Sequence, residues 1–543
     1  MVQDVLNTQL KKNEANYAPL CPLSFLQRSA LAHSARPAII YKSLRRTWAQ
    51  MDERCQKMAS ALQRMGVGKG DVVATMLPNI PEMLELHFAV PMAGGVLNTI
   101  NTRLDAQTIA YIFEHSQTRV VFVDKEYTDV IQAALHLTSH AIRVVAVDDK
   151  NIEGTLISEL TYEAVLETGL LNDIVPVELD EWDAISLNYT SGTTGRPKGV
   201  VYHHRGAYLN ALSNAIAIQL GHGSVYLWTL PMFHCNGWCY PWAVAAISGT
   251  SVCIRQPRPD WVFEAITDHR VTHMCAAPVV LNMLVNAPEE IKCAYDHTIT
   301  VATGGAAPAA ATIEKMEQLG MRVIHLYGMT ETYGPTMVCE VQDDWVEAPV
   351  DQRAEKIARQ GIYTVSMLDQ AILDHQGQPV PKDGETMGEL CVRGHSLMKG
   401  YLNNPEETAQ VFKGGWLHTG DMGVWDATGY VQIKDRSKDI IISGGENISS
   451  LEIESVLYTH PAVLEAAVVA APDAHWGEVP CAFITLKDGH NQVTATQIQE
   501  YCLQHLARFK AIKKVVFVDE IPKTSTGKIQ KNFLRNQAAE TQI

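Results

Sequence analysis

The stretch YTSGTTGRPKGV, from Tyr189 to Val200, is the most informative part of this sequence. It holds four serine or threonine residues, three glycines and two cations in twelve positions, and it contains no carboxylate. Alternating and apolar runs flank it, so the stretch is predicted to be a loop between two strands. Glycine-rich turns at strand ends direct backbone N–H groups towards an anion, and hydroxyl groups and a lysine add donors and charge. The loop therefore predicts a phosphate-binding site.

This loop differs from the common Walker A motif. That motif requires a serine or threonine directly after its lysine, whereas Gly199 follows Lys198 here. A purely structural turn would need neither so many hydroxyl groups nor the second cation, Arg196. The rest of a nucleotide-binding site is therefore expected elsewhere in the chain.

Length and charge restrict the class of protein. The chain has 543 residues, which corresponds to roughly two to four domains. Its formal charge of −16 disfavours binding to nucleic acid or to an anionic membrane surface. The longest apolar stretch, residues 230–247, contains two prolines, so no transmembrane helix is expected. Positive charge is local instead, in the opening loop and in residues 521–535, which contain four cations and no acid.

The two ends and the cysteines predict a cytoplasmic protein. The N-terminal residues lack the cationic and apolar layout of a secretory signal, and the final residues AETQI are not a recognisable address. Eleven cysteines are scattered without CxxC spacing. This pattern predicts reduced thiols rather than a disulfide framework.

The order of short β-branched runs and helix-like segments predicts an α/β protein. Runs such as VVATML (72–77) and RVVFVD (119–124) alternate with segments such as Arg205 to Gln219, which is typical of parallel sheets covered by helices. The composition changes after GWLHTGD (415–421), where residues 421–432 are predicted to be a polar connection. The final hundred residues are predicted to form a strand, a helix, two strands, a helix and a strand. We therefore predict a large N-terminal domain over residues 1–435 and a small mobile α+β domain over residues 436–543.

Five further motifs follow the opening loop in order. They are GGAAP (304–308), YGMTET (327–332), GWLHTGD (415–421), DRSKDIIISGGENI (435–448) and PKTSTGKI (522–529). Together with the loop they resemble the motif series of the adenylate-forming superfamily, in its acyl-CoA synthetase branch. The resemblance covers at least Tyr189 to Lys528 and implies a ligase that joins a carboxylic acid to coenzyme A through an acyl-adenylate, with ATP and Mg²⁺ as co-substrate and cofactor.

The resemblance also implies which residues contact ATP. Gly304 and Gly305 would form one wall of the adenine cleft, and Asp421 would accept hydrogen bonds from the ribose hydroxyls. The implied set is Thr190, Ser191, Gly192, Thr193, Thr194, Gly195, Lys198, Gly304, Gly305, Ala306, His325, Leu326, Tyr327, Gly328, Thr330, Asp421, Arg436 and Lys438.

Catalytic roles follow from the same resemblance. Glu331 would bind Mg²⁺, with Thr190 as its second contact, because this hard cation prefers oxygen ligands. Lys528 would bridge the substrate carboxylate and the α-phosphate, and Lys438 would be the hinge between two domain orientations. In the second orientation coenzyme A would contact Ser443, Gly444, Gly445 and Glu446.

The segment PMFHCNGWCYPW (231–242) carries the information on the acid. By resemblance, His234 is a gate between the acyl site and the thioester tunnel. If this segment is helical, Trp238 lies on the same side four residues later and shortens the pocket. Residues 222–259 contain no acid that could hold a substrate ammonium group, so an amino acid is not expected. Gly305, Gly328 and Met329 complete the implied acyl contacts.

These observations predict a short- or medium-chain acid. The string MFHCNGW and the chain length resemble a branch that includes 3-methylmercaptopropionyl-CoA ligases of dimethylsulfoniopropionate breakdown, so 3-methylmercaptopropionate or a similar small acid is favoured. An aryl acid of the benzoate or cinnamate type is the alternative substrate class. A luciferase-like oxidative use of the adenylate is an alternative reaction. The family resemblance further implies a homodimer.

Overall fold

The computed structural model describes residues 10–190, 196–444, 446–473, 475–487, 489–490, 492–523 and 529–540. Seven predicted site residues lie outside these ranges: Ser191, Gly192, Thr193, Thr194, Gly195, Gly445 and Lys528. Their predicted roles remain predictions.

Most strands in the described ranges are short and contain buried residues. In chain order they are β1 (Pro37–Tyr41), β2 (Leu44–Thr47), β3 (Val72–Met76), β4 (Val96–Thr99), β5 (Val120–Asp124), β6 (Arg143–Val147), β7 (Ala184–Tyr189), β8 (Gly199–His203), β9 (Val225–Trp228), β10 (Thr250–Cys253), β11 (His273–Ala276), β12 (Ile299–Thr303), β13 (Met321–Met329), β14 (Gly334–Val338), β15 (Ile362–Tyr363), β16 (Met367–Leu373), β17 (Gly388–Gly394), β18 (Gly400–Tyr401), β19 (Leu417–Trp425), β20 (Val431–Arg436), β21 (Ile441–Ser443), β22 (Glu446–Ile448), β23 (Val463–Asp473), β24 (Gly477–Leu486) and β25 (Lys514–Phe517).

Helices connect most of the parallel strands. They are α1 (Leu23–Ala32), α2 (Trp48–Arg64), α3 (Pro81–Met92), α4 (Ala106–Ser116), α5 (Thr128–His136), α6 (Tyr162–Thr168), α7 (His204–Ala217), α8 (Tyr240–Ala246), α9 (Pro259–His269), α10 (Pro278–Val285), α11 (Ala310–Gln318), α12 (Asp343–Val346), α13 (Val350–Ile357), α14 (Pro405–Val411), α15 (Ser450–Thr459), α16 (Ala495–His505) and α17 (Lys531–Glu540). Side-chain caps define several starts. Thr47 and Gln50 form a capping box at α2, and Asp105 accepts two backbone N–H groups at α4.

Two large sheets are mainly parallel, as predicted. The nine-stranded sheet has the order β15-β14-β13-β12-β11-β9-β10-β1-β2, and the seven-stranded sheet has the order β18-β8-β7-β4-β3-β5-β6. In each, a parallel centre ends in antiparallel strands: β13, β14 and β15 are antiparallel neighbours, and so are β7, β8 and β18. The pair of β7 and β8 flanks the opening loop, so the prediction of a loop between two strands is confirmed.

A third, antiparallel sheet was not foreseen. Residues 421–432 were expected to be a polar connection to the last domain, but they contain the end of β19 and the start of β20. These strands pair in the order β16-β17-β19-β20, and the sheet has its own core, including Leu390, Val392 and Leu417. The polar residues obscured the strands because β19 and β20 carry partly exposed polar side chains, such as His418 and Lys434, among buried ones.

The last hundred residues form the fourth sheet, with the order β22-β21-β24-β23 and β25 beside β24. The predicted strand, helix, two strands, helix and strand are all present with small changes at their ends, and α17 follows them. A separate cluster of buried side chains, including Ile441, Ile484 and Ile498, fills the space between this sheet and its helices. The fold is therefore mixed α/β with parallel sheets and a C-terminal domain. The proposed boundary between residues 435 and 436 lies at the end of β20.

Two further expectations concern thiols and membranes. All eleven cysteines are free, as the sequence predicted. Among the described helices, none combines the length and the apolar character needed to cross a bilayer.

Candidate active site

The opening loop is closed at its base by a pair of hydrogen bonds. The Thr190 N–H donates to the Lys198 carbonyl at 3.0 Å, and the Lys198 N–H donates to Thr190 Oγ1 at 3.2 Å. Tyr189 pairs with Gly199 in the flanking strands. The base of the loop is therefore held in a fixed position by the hairpin of β7 and β8.

The Lys198 side chain lies between a carboxylate and an aromatic ring. Its amine contacts Glu407 Oε1 and lies 4.8 Å from the centroid of the Tyr401 ring. Glu407 is also fixed, since its second oxygen accepts from Asn404 at 2.9 Å. A phosphate entering the loop would therefore compete with Glu407 for the ammonium group of Lys198.

Glu331 is a buried carboxylate at the end of β13. It lies in the 3₁₀ turn Thr330–Thr332, is 8% exposed, and its Oε1 accepts a hydrogen bond from Tyr401 at 2.8 Å. Across the described part of the chain, no lysine, arginine or histidine forms an ion pair with it. Because burial of an ionised carboxylate without a counter-ion is costly, this arrangement fits a hard cation with oxygen ligands such as Mg²⁺.

Tyr327, Asp421 and Arg436 meet where β19 pairs with β20. The Tyr327 hydroxyl donates to Asp421 Oδ2 at 2.5 Å, and Arg436 Nε lies 3.4 Å from Oδ1. Asp421 and Arg436 are also partners in the strand register. Burial and the neighbouring carboxylate raise the pKa of Tyr327 well above its usual value, so this hydroxyl keeps its proton. The carboxylate of Asp421 suits acceptance from two vicinal hydroxyls, as a ribose presents.

The two glycines after β12 have different surroundings. Gly305 has φ of +82°, and a Cβ built there would have open space around it. At Gly304 a Cβ would lie 2.5 Å from the Leu326 carbonyl oxygen and 3.0 Å from Trp238 Cη2. Only glycine fits at position 304, and its backbone lies directly against the Trp238 indole. Open space for a flat ligand is therefore found at Gly305, while Gly304 is closed by the indole.

The segment after His234 is not the right-handed helix on which the placement of Trp238 depended. Five consecutive residues, Cys235 to Cys239, have φ between +42° and +63°. His234 itself is extended, with φ −81° and ψ 116°, and precedes the turn, so the helix on which a shared side for His234 and Trp238 depended is absent. For non-glycine residues this conformation costs about 1–2 kcal/mol each, and such strain is concentrated at functional sites.

A small cavity lies beside His234. It has a volume of about 60 Å³ and is bounded by the loop base at Thr190, by Thr330 and by the buried strand residue Asn98. Among the described residues, neither amide atom of Asn98 has a hydrogen-bond partner. Buried amides without partners are uncommon, so the cavity is suited to a small polar group. His234, Thr190 and Thr330 thus line one cavity.

His325 occupies a different environment from its neighbours in the sequence. Its imidazole Nδ1 lies 2.8 Å from the Arg359 carbonyl, and burial lowers its pKa to about 4. The imidazole is therefore part of the core, and a contact between this side chain and ATP is not supported. Its main chain, with Leu326, runs beside Gly304 along β13.

The predicted coenzyme A hairpin and hinge lie in and next to the C-terminal sheet. Ser443 and Glu446 are partners in the pair of β21 and β22, and the Gly444 N–H donates to the Trp476 carbonyl at 2.9 Å. Lys438 lies in the tight turn directly after β20, and burial together with the nearby Arg436 lowers its pKa. The short turn is a suitable place for a change of backbone angles.

Comparisons with known proteins place this geometry in a family. Residues 26–402 match the model described as AMP-binding enzyme, and residues 452–528 match that of the AMP-binding enzyme C-terminal domain. The chain belongs to the AMP-binding enzyme family. Within this family it is an acyl-CoA synthetase, because the relatives that it matches along nearly their whole length are CoA ligases.

Three of these matches are informative. The synthetase is 48% identical to the peroxisomal acetate/butyrate–CoA ligase of Arabidopsis thaliana, over 98% of this chain and 96% of the relative. It is 45% identical to the peroxisomal benzoate–CoA ligase of the same plant, over 97% and 94%. The solved structure of ATP-bound MatB from Rhodopseudomonas palustris is 26% identical, with a TM-score of 0.82 over 95% of this chain and 99% of that one.

Motif analysis missed two residues of this synthetase's candidate site. Tyr401 and Glu407 reach the loop because β18 pairs with β8, with Tyr401 opposite Val200. The partners are two hundred residues apart, and nothing in the local pattern of KGYLNNPEET indicates the pairing. Tyr401 contacts both Glu331 and Lys198, so it links the proposed cation ligand to the phosphate loop.

Replacing Tyr401 by phenylalanine tests this link. The change removes the hydroxyl that holds Glu331 and keeps the ring beside Lys198. Hydrogen bonds to charged groups contribute about 1.5–3 kcal/mol, so we expect kcat/KM for acyl-adenylate formation to fall about tenfold or more. The KM for Mg²⁺, measured by ATP–pyrophosphate exchange, should rise. Tyr458→Phe is the matched control, because its hydroxyl contacts the Ala466 carbonyl in the C-terminal sheet. Equal Mg²⁺ dependence in both variants would contradict the link.

Proposed function

We propose that this synthetase joins short-chain aliphatic acids to coenzyme A, using ATP with Mg²⁺ and releasing AMP and pyrophosphate. The observation that carries the choice of acid is the packing of the Trp238 indole against Gly304. The indole closes the space beneath Gly304. A second tryptophan, Trp228, packs against Gly237, where a Cβ would lie 2.9 Å from its ring. Bulky buried rings thus fill the volume that a long acyl chain would need.

The charges in the site support an adenylation step. A carboxylate and a triphosphate repel each other, and a carboxylate is a poor acyl donor because its leaving group would be oxide. Attack of the carboxylate on the α-phosphate forms the acyl-adenylate and expels pyrophosphate. In our proposal Lys198 and the loop hold the departing phosphates, Lys528 bridges the two reacting anions, and Asp421 with Tyr327 orients the ribose. Glu331 with Thr190 would hold Mg²⁺, which supplies neutralising charge at the phosphates.

The second step transfers the acyl group to a thiol. The coenzyme A sulfur attacks the activated carbonyl, a thioester forms and AMP leaves. We assign the approach of the thiol to the hairpin of Ser443, Gly444 and Glu446 after a rotation at Lys438, with His234 at the boundary of the acyl site. The cavity lined by His234, Thr190 and Thr330 supports this assignment, because the proposed gate and two proposed ATP contacts face one space.

The exact acid is the least constrained part of the proposal. The Arabidopsis relative named for acetate and butyrate supports small linear acids, and 3-methylmercaptopropionate belongs to the same size class. Benzoate is the second candidate, because a relative of 45% identity is named for it. A panel from acetate to octanoate, with 3-methylmercaptopropionate, benzoate and cinnamate, should be ranked by kcat/KM. We expect the maximum among acids with four or fewer carbons or their methylthio analogue, and a maximum at benzoate or octanoate would overturn the choice.

A substitution at Trp238 tests the size argument separately. Trp238→Ala removes the indole below Gly304 and opens space for additional methylenes. One methylene in a fitted pocket changes specificity about tenfold or more, so octanoate should gain at least this factor relative to butyrate. Trp345→Ala is a suitable control, since Trp345 packs in a separate cluster with Cys339 and Tyr430. An unchanged chain-length profile in Trp238→Ala would remove this residue from the pocket.

We also propose a cell compartment and an assembly state for the synthetase. The sequence predicts a cytoplasmic enzyme, whereas both Arabidopsis relatives are named peroxisomal. Fractionation of cells that produce the protein would distinguish the two compartments. The homodimer is a prediction from family resemblance, and sedimentation of the purified enzyme would test it.

A further inference from the structure

Three side chains with metal-binding atoms converge beside the proposed nucleotide contacts. Glu389 and Cys391 are separated by one residue on β17, so they share one face of the strand. His418 of β19 lies opposite Cys391 in the register. Cys391 Sγ is 3.4 Å from His418 Nδ1, and Glu389 Oε2 is 2.8 Å from the same nitrogen. The three ligand atoms lie within 4.8 Å of one another, and they are the one such group in the described ranges.

Both ring nitrogens of His418 face oxygen acceptors. Nε2 lies 3.2 Å from the Lys413 carbonyl, and Nδ1 faces the Glu389 carboxylate. Both partners are acceptors, whereas a neutral imidazole has a single N–H group. A metal ion between Nδ1 and the carboxylate would satisfy both groups. A histidine–glutamate ion pair has no need of the thiol of Cys391, but a metal ion would use it as a third ligand.

The distances fit zinc with a small adjustment. Zinc–nitrogen and zinc–sulfur bonds of about 2.0 and 2.3 Å place tetrahedral ligands about 3.3–3.6 Å apart. The separation of Cys391 and His418 fits without change. Glu389 has to withdraw by about half an ångström to reach that spacing. Its side chain is 30% exposed, so it has room to move, and the 28% exposure of His418 leaves a fourth position open to water.

The surroundings also resemble those of a zinc ligand. A metal-bound histidine commonly donates its other N–H to a backbone carbonyl, as Nε2 of His418 is placed to do with Lys413. The second oxygen of Glu389 accepts from the Gly420 N–H at 2.9 Å, which orients the carboxylate. We propose that Glu389, Cys391 and His418 bind one zinc-type divalent ion. The thiol proton is released to solvent when the sulfur–metal bond forms.

This site lies at the base of the segment that presents Asp421. The register of β17 with β19 passes from Glu389 opposite Met422 to Cys391 opposite His418, so residues 419–421 bulge out of the ladder. A metal on Glu389 and His418 ties together the two sides of this bulge. The inference rests on these contacts alone and is independent of the acid that the synthetase uses.

Metal titration of the whole protein tests the proposal. After treatment with a chelator, the enzyme is titrated with Zn²⁺ in millimolar Mg²⁺, which occupies the proposed site at Glu331. A parallel titration uses Co²⁺, whose bond to a thiolate gives a charge-transfer band. We expect one zinc per chain and a cobalt–thiolate band. Cys391→Ser should abolish the band, and both Cys391→Ser and His418→Asn should weaken zinc binding about tenfold or more.

Cys293→Ser is the control, because Cys293 is another free cysteine but its sulfur contacts Thr267 rather than a histidine. Zinc should raise the unfolding temperature of the native protein and of Cys293→Ser but not that of Cys391→Ser. Comparison of metal-free unfolding temperatures shows whether each variant folds. Substoichiometric zinc in the native protein, or a cobalt–thiolate band that persists in Cys391→Ser, would overturn the proposal.

Discussion

Lys528→Ala is expected to lower the rate of acyl-adenylate formation by a hundredfold or more. In our proposal this lysine bridges the substrate carboxylate and the α-phosphate, where negative charge accumulates in the transition state. Loss of one such preorganised donor costs about 2.7–4 kcal/mol, which corresponds to a factor of about 10²–10³ in rate. The measurement is ATP–pyrophosphate exchange with saturating acid. Thioester formation from preformed acyl-adenylate should be nearly unaffected, because the carboxylate and the α-phosphate are already joined in that compound.

Lys523→Ala provides the comparison for this variant. Lys523 lies in the same basic window, but its amine forms an ion pair with Glu465 at 2.6 Å within the C-terminal domain. Its adenylation rate should stay within a few-fold of the native value. If Lys528→Ala lost both half-reactions equally, the assigned role would be wrong, since a general loss of folding or of domain docking would explain the result better.

Glu331→Gln is expected to have the second largest effect. The amide still accepts the hydrogen bond from Tyr401, but it lacks the charge that a divalent cation requires. We expect adenylation at a fixed low Mg²⁺ concentration to fall on the order of a hundredfold, as for loss of a principal electrostatic contact. High Mg²⁺ should restore part of the rate in this variant.

The dependence on Mg²⁺ distinguishes a ligand from a structural acid. Glu340→Gln changes an exposed glutamate shortly after β14 and serves as the control. Its Mg²⁺ profile should match that of the native enzyme. A loss of activity in Glu331→Gln that no Mg²⁺ concentration relieves, together with an unchanged KM for Mg²⁺, would show that Glu331 stabilises the site without binding the cation.

Sequence analysis predicted the parts of the structure whose residues lie close together in the chain. The opening loop is recognisable because glycines, hydroxyls and cations are needed close together, and Asp421 and Arg436 are found through motifs that the structure pairs in one register. Glycine is needed at 304 because a Cβ there would meet the Leu326 carbonyl, and glycine at 305 suits the φ of +82°.

What the sequence could not reveal depends on contacts between distant segments or on strained backbone. Tyr401 joins the site through the pairing of β18 with β8, and no local pattern encodes that register. The left-handed turn from Cys235 to Cys239 contradicts local preference and persists because the surrounding core constrains it. His325 lies on the same strand as Tyr327, yet its imidazole lies in the core, where it contacts the Arg359 carbonyl.

The most direct test of the account is a product balance in one reaction. The purified enzyme is incubated with butyrate, ATP, Mg²⁺ and coenzyme A, and AMP, pyrophosphate and butyryl-CoA are quantified together. The account predicts equal amounts of all three, and it predicts that omission of coenzyme A stops multiple turnover after adenylate formation. Release of ADP, or continued oxygen-dependent turnover without coenzyme A, would contradict it.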